Sequence, residues 1–161
     1  MSNNVTLNKL QYIFWLTYPV IYLLLLDTHR TRVIIEANSE VLFEYKWLGD
    51  KKLSLPGGGI KKNENSKKAA VREVLEETGI KLDLSQLKLL VKNLKVYETG
   101  FRYFVDCYYI SLPKKVIANS DNLEILSSNW YKPKKIIDSK KATKTTIMLI
   151  QTWLDTKHLI N

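Results

Sequence analysis

The chain has 161 residues, 45% hydrophobic and 25% charged, enough for one domain with its own core and too few for two; these proportions exclude a disordered chain and a polytopic membrane protein. Lys and Arg outnumber Asp and Glu 25 to 16, for a net charge of +9, a field that favours nucleotide phosphates, nucleic acid or acidic lipid without choosing among them. The single cysteine, Cys107 in the apolar run FVDCYYI, excludes an intrachain disulfide, leaves no zinc-ligand spacing, and fits a buried inert thiol in a reducing, cytoplasmic setting.

Residues 10–26, LQYIFWLTYPVIYLLLL, carry no charged side chain. The run is at the short limit for a bilayer-spanning helix, and Gln11, Thr17 and Pro19 interrupt it. A lone Lys9 before it and LDTHRTR after it do not make a cleaved secretory signal. The expectation is an additional apolar helix within residues 1–30, capped by Thr6 and bent at Pro19. It packs on the domain, joins two copies as a homodimer, or makes a peripheral membrane contact through residues 7–30, with a full span as the remaining alternative. In the membrane case Tyr12, Trp15, Tyr18 and Tyr22 sit at headgroup depth and His29, Arg30 and Arg32 face acidic lipid.

TRVIIEA and EVLFEYKWL, separated by NS, predict a hairpin over residues 31–37 and 40–48. In GDKKLSLPGGG, Gly49 and Asp50 turn the chain, and Pro56 with Gly57, Gly58 and Gly59 ends a short strand. From Ser66 to Thr78 the period changes: Ala70, Val71, Val74, Leu75 and Thr78 recur at helical spacing and Gly79 is a natural stop. LKLLVKNLKVYETGFRYFVDCYYISL predicts two long strands joined near ETG, and SDNLEILSSNWYKPKKI a loop, a short strand and a loop. Residues 143–158, with Ile147, Leu149, Ile150, Trp153 and Leu154, predict a closing helix. Strands, helix, strands, helix is the order of an α/β domain, here over residues 31–161, with a mixed sheet between helices.

Glu73, Glu76 and Glu77 crowd one helical face, and the Glu73–Glu77 pair alone should cost an isolated helix about 0.2–0.5 kcal/mol. Arg72 reaches Glu76 from one turn earlier, but one guanidinium does not neutralise three carboxylates. A hard divalent cation does, because Mg²⁺ takes oxygen ligands from a few carboxylates together with substrate phosphates and water. The glycines just upstream lack Cβ, so their backbone can approach a metal or phosphate closely.

Gly58, five residues, Glu64, seven residues, Arg72-Glu73-Val74, one residue, Glu76-Glu77, one residue, Gly79-Ile80 matches the Nudix box at every fixed position. The chain therefore resembles a Nudix hydrolase. The resemblance implies an α/β/α sandwich and a Mg²⁺- or Mn²⁺-dependent attack of water on the diphosphate linkage of a nucleoside diphosphate derivative. It makes Glu73, Glu76 and Glu77 metal ligands together with the carbonyl of Gly57. It pairs Glu64 with Arg72 as a brace between loop and helix, Glu64 standing close enough to assist a metal. The family often draws a general base from a later loop, which selects Glu124, with Glu98 and Asp121 as weaker candidates. No Ser, Cys or His nucleophile is required, and His29 and His158 read as surface residues.

Gly58 and Gly59, Arg32, Arg102 and Trp130 are the candidates for contacting a small nucleotide substrate, with Lys46 and Tyr103 behind them. Two other functions stay open. Lys114, Lys115, Lys132, Lys134, Lys135, Lys140, Lys141 and Lys144 could track phosphates in an RNA 5′-end pyrophosphohydrolase, and a catalytically silent module could bind nucleotides without cleaving them.

Overall fold

The computed structural model describes residues 28–46, 52–98, 100–118 and 125–160. The apolar helix expected within residues 1–30, the Gly49-Asp50 turn, Asp121 and Glu124 lie outside the described residues, save that residues 28–30 belong to a strand.

β1 (Thr28–Ala37) and β2 (Glu40–Lys46) form the expected hairpin. Asn38 and Ser39 between them both have positive φ, 52° and 62°, as a two-residue turn needs if its twist is to match the strands. β1 starts at Thr28, not Thr31, because its first residues pair in parallel with β5 (Phe101–Ser111) from Thr28↔Tyr103 onward. β4 (Lys88–Glu98) runs antiparallel to β5 and is joined to it at the predicted turn. Its register slips around Asn93, which has φ 54°.

β2 pairs with β1 only at Glu36↔Val41 and Ala37↔Glu40. Beyond that point it pairs on one edge with β6 (Ile125–Tyr131) and on the other with β3 (Leu53–Ser54). The edge of β1 that β2 abandons is taken by the glycine-rich segment: Val33 N–H donates to Pro56 O at 2.9 Å, Thr31 N–H to Gly58 O at 2.8 Å, and Ile60 N–H to His29 O at 3.0 Å. A loop that would otherwise be free becomes part of the sheet.

Alternation along the strands gives two cores. Ile34, Phe43, Val105 and Cys107 face one way and pack under α3 (Lys144–Ile160) through Leu149, Ile150 and Trp153; Val33, Ile35 and Leu42 face the other way, under Ala70 and Val74 of α1 (Ser66–Thr78). The result is the expected α/β/α sandwich with a mixed sheet. α1 keeps its predicted bounds because both ends are capped: the Asn65 side chain accepts from the Lys67 and Lys68 N–H groups, and Gly79, at φ 70°, donates its N–H to Leu75 O.

One expectation is corrected. The segment after β6 is not a loop but a short helix, α2 (Pro133–Ser139), with Pro133 in its first turn and Lys140 in the left-handed region as its stop. Only Pro133 and Ile136 of it are buried, too few apolar positions to show a period in sequence. No helix among the described residues is long and apolar enough to cross a membrane.

Candidate active site

The site forms where the glycine segment crosses in front of α1. Gly57 has φ 131°, and a Cβ there would lie 2.4 Å from the carbonyl oxygen of Thr31, so only glycine allows the segment to lie this close to β1. At Gly58 a Cβ would lie 2.2 Å from Glu73 Oε2, so that glycine makes the room in which the Glu73 carboxylate rests. The far side of the segment is held by Arg72, whose Nη2 donates to Gly59 O at 3.0 Å.

Arg72 is the hub. It grips Glu64 with two parallel bonds, Nε to Oε1 at 2.8 Å and Nη2 to Oε2 at 2.9 Å, and its Nη1 donates to Glu73 Oε1 at 2.6 Å and Glu76 Oε2 at 3.0 Å. Bidentate guanidinium–carboxylate geometry of this kind is strong and directional. The bond from Arg72, helped by the Lys61 N–H, lowers the Glu64 carboxyl to about 2, and Glu64 in turn raises the Arg72 guanidinium. Burial pushes Glu73 up despite Arg72 beside it. Glu77 is buried and held separately: the Gly57 N–H donates to its Oε2 at 2.6 Å and the Lys46 ammonium to its Oε1. The helix face thus offsets its repulsion with a shared guanidinium and a lysine from β2, a partner that spacing along α1 had no means of revealing.

Arg32 donates from Nη1 to the carbonyl of Gly57 and to Thr31 O, so the carbonyl expected to face a metal is in contact with a guanidinium. Arg30, next along that face, lies 4.7 Å over the ring of Tyr103, and its guanidinium is lowered first by burial and then by Arg32. Arg102 is opposite Tyr97 at the β4–β5 turn. Trp130 packs on the α1 side of the sheet and donates its indole N–H to Val116 O at 3.0 Å. Glu98 accepts from Tyr103 Oη at 2.8 Å and the Thr145 N–H at 3.0 Å, at the start of α3. The structure therefore brings Gly57, Gly58, Gly59, Glu64, Arg72, Glu73, Glu76, Glu77 and Arg32 together and leaves Trp130 and Arg102 in other settings.

One acid at the site was missed. Glu44 on β2 is fully buried, neither of its oxygens has a hydrogen-bond partner, and Oε2 lies 3.8 Å from Lys46 Nζ. Burial first, and then the nearby Glu77 carboxylate, push it well above the usual carboxylate range. The signal was there: in VLFEYK the period of two puts Glu44 on the same face as Leu42, and an acid on a core-facing strand position needs a reason.

A second cleft, about 430 Å³, lies beside β2 and β3 and is lined by Tyr45, Lys52, Tyr131, Lys140 and Lys141 among others. It collects two of the lysines from the basic C-terminal stretch. Cys107 is buried and free, its thiol raised by that burial.

The sequence matches the NUDIX domain model over residues 18–150. In fold the chain is similar to a MutT protein from Methanosarcina mazei Go1, with TM-score 0.69 and 17% identity over 82% of this chain and 96% of that one. It is similar to a C. elegans Ap4A hydrolase, with TM-score 0.68 and 18% identity over 81% of this chain and 98% of that one. It is also similar to the NUDIX domain of Shewanella oneidensis NrtR, solved with ADP ribose, with TM-score 0.69 and 13% identity over 80% and 87%. At such identities the structural likeness speaks for the fold alone, and no curated protein matches the sequence. The family match spans most of the chain and the assembled box residues lie within it, so the chain belongs to the Nudix hydrolase family, enzymes acting on phosphoric anhydride bonds.

Proposed function

We propose that the chain hydrolyses the diphosphate linkage of a nucleoside diphosphate derivative in a reaction that depends on Mg²⁺ or Mn²⁺. The observation that carries this reading is the placement of Glu73 and Glu77 against the glycine bend, with Glu76 tied to Glu73 through Arg72, each carboxylate already matched to a positive or N–H group of the protein. A set of hard oxygen donors suits those ions. The space that Gly58 leaves for Glu73, and the buried Glu44 without a donor, are what a site awaiting a cation looks like.

Glu73, Glu76 and Glu77 would hold the ion, with Glu64 at the margin and the Gly57 carbonyl joining once Arg32 lets it go. When bound, such ions neutralise the phosphates and make water a usable nucleophile near neutral pH. The rest is done by the chain. Arg72 fixes Glu64, Glu73 and Glu76 as a unit, so the acids keep their relative places while charge shifts in front of them. The glycine segment, locked into β1, offers a rigid backbone edge to the diphosphate. Arg32 can leave Gly57 for a phosphate oxygen, and Arg30 beside it adds a second positive group. Glu124 is the proposed general base.

A small nucleotide is the favoured substrate; the NrtR domain, solved with ADP ribose, is a relative in fold that holds one. The RNA 5′-end alternative draws on the cleft of Tyr45, Tyr131 and three lysines, since aromatic rings and ammonium groups lining one cleft suit a single strand. The test is a panel of nucleoside diphosphate sugars, ADP-ribose, dinucleoside polyphosphates, nucleoside triphosphates and 5′-triphosphorylated RNA, each with Mg²⁺, Mn²⁺ or EDTA. Metal-dependent release of a nucleoside monophosphate or pyrophosphate product is expected from at least one. No product from any of them with either ion would overturn the reading.

A further inference from the structure

Three acids among the described residues are buried: Glu44, Glu77 and Asp106. Asp106 accepts the Asn93 N–H at 2.7 Å, and Glu77 is held by Gly57 and Lys46. Glu44 alone accepts nothing. The ionised form of a carboxyl in that position is strongly disfavoured unless a cation answers it.

The cation within reach is Lys46. It is two residues along β2, on the same face, and its ammonium is hydrogen-bonded to Glu77 while standing 3.8 Å from Glu44 Oε2. One ammonium therefore serves two carboxylates, and the one it grips is the one assigned above to the divalent ion. An ion and an ammonium on the same Glu77 oxygen repel each other. When the ion arrives the ammonium must leave, and both oxygens of Glu44 are open to it. The distance to close is about 1 Å, from ion-pair range to hydrogen-bond range, which a lysine covers by changing rotamer without moving the strand. The residues opposite Glu44 in register, Ser54 and Ser128, have short side chains, and Ser54 Oγ is itself buried without a partner.

We propose that Glu44 is a positioning residue that receives the Lys46 ammonium when a divalent cation takes Glu77. Lys46 then neutralises Glu77 in the metal-free protein and Glu44 in the loaded one, where the cation answers Glu77. The proposal rests on the box acids being the cation site.

The probe is Mn²⁺ alone, its binding to the full chain followed by the loss of the free-ion EPR signal, with no substrate present. Glu44→Gln removes the charge that receives Lys46, so Lys46 competes harder for Glu77 and the Mn²⁺ dissociation constant should rise about tenfold, the size of coupling common between contacting charged groups. Lys46→Met removes the competitor, so Mn²⁺ should bind at least as tightly as to the wild type. The double variant should match Lys46→Met, because Glu44 acts only through the lysine.

An equal weakening by Glu44→Gln with and without Lys46 would mean that Glu44 ligates the ion directly, and would overturn the proposal. So would no weakening at all, or weaker binding in Lys46→Met, a result that does not depend on how well Glu44→Gln folds. Failure of the wild type to bind Mn²⁺ would instead overturn the cation reading of the box.

Discussion

Glu36 and Glu44 occupy neighbouring strands on opposite faces of one sheet, and the protein treats them in opposite ways. Glu36 faces α3, where its Oε2 accepts from Tyr109 Oη at 2.6 Å and its Oε1 from Lys157 Nζ at 3.2 Å. Glu98, at the far end of the same layer, is likewise anchored by Tyr103 and the start of α3. Glu44 faces α1 with no donor on either oxygen. Acids that hold a fold together are given their hydrogen bonds by that fold. An acid left without them on a buried face, next to Glu77 of the box helix, marks the α1 side of the sheet as the place to look for function.

The comparison breaks first on Glu77. Glu77→Gln keeps the shape and the Gly57 hydrogen bond but removes a charge from the α1 face. It should lower kcat by about 10²–10³, the usual loss when a group that stabilises developing charge is removed, and also lower the melting temperature, because the Lys46 ammonium loses its charged partner. Glu36→Gln, the matched change on the other face, should leave kcat unaltered. Equal losses of turnover from both would erase the distinction between the faces.

The two glycines sharpen it next, because they fail for different reasons. At Gly57 the obstruction is backbone, Thr31 O, and φ is 131°, so Gly57→Ala should destabilise the fold by about 1–3 kcal/mol through strain alone and show it in a denaturant melt. At Gly58 the obstruction is the Glu73 carboxylate, the far end of a flexible side chain. Gly58→Ala should therefore fold nearly normally and lose turnover, since Glu73 has to leave its place. A Gly58→Ala protein with full activity would show that the position of Glu73 is incidental.

Smaller again is the stability effect of Glu36→Gln, about 1–2 kcal/mol from weakening hydrogen bonds to a charged group, read as a lower chemical-denaturation midpoint.

What was legible in the sequence follows the range of the interactions. The box helix could be read to the residue, since the Ala70–Thr78 stripe and Gly79 are local signals, and Glu64 lies within the same motif as the Arg72 it pairs with. The β4–β5 hairpin could be read because turn and alternation are local too. The partnership of Lys46 with Glu77 joins residues 31 apart in sequence, and nothing in either neighbourhood announces it. Thr31, Val33 and the glycine segment are tied by hydrogen bonds that exist only because β2 veers away from β1, a tertiary event with no sequence period. Trp130, chosen as an aromatic for a base, is partly buried against the core on the α1 side and donates to Val116, and an aromatic on a strand reads the same in sequence whether it packs or stacks on a ligand. α2 was missed because one proline and one buried isoleucine carry it.

The smallest expected effect is a pH dependence on the α3 face. Burial, and after it the Glu36 carboxylate that its hydroxyl bonds, push Tyr109 up from 10.0 to about 12. A group whose folded value is raised contributes stability that is whole below its unfolded value and disappears as pH climbs through the folded one. The stabilisation by Tyr109 is therefore intact below pH 10 and is lost between about 10 and 12. The quantity to follow is the difference in denaturation midpoint between the wild type and Tyr109→Phe, which lacks the hydroxyl, so that all other alkaline effects cancel. That difference should be flat up to pH 10 and shrink above it. In a Glu36→Gln background, where the carboxylate no longer opposes ionisation, the shrinkage should still begin near pH 10 but be smaller and level off at lower pH. If the difference stays constant to pH 12, Tyr109 does not depend on Glu36 in the way the 2.6 Å contact implies, and the α3 face is less tightly closed than its partner bonds make it.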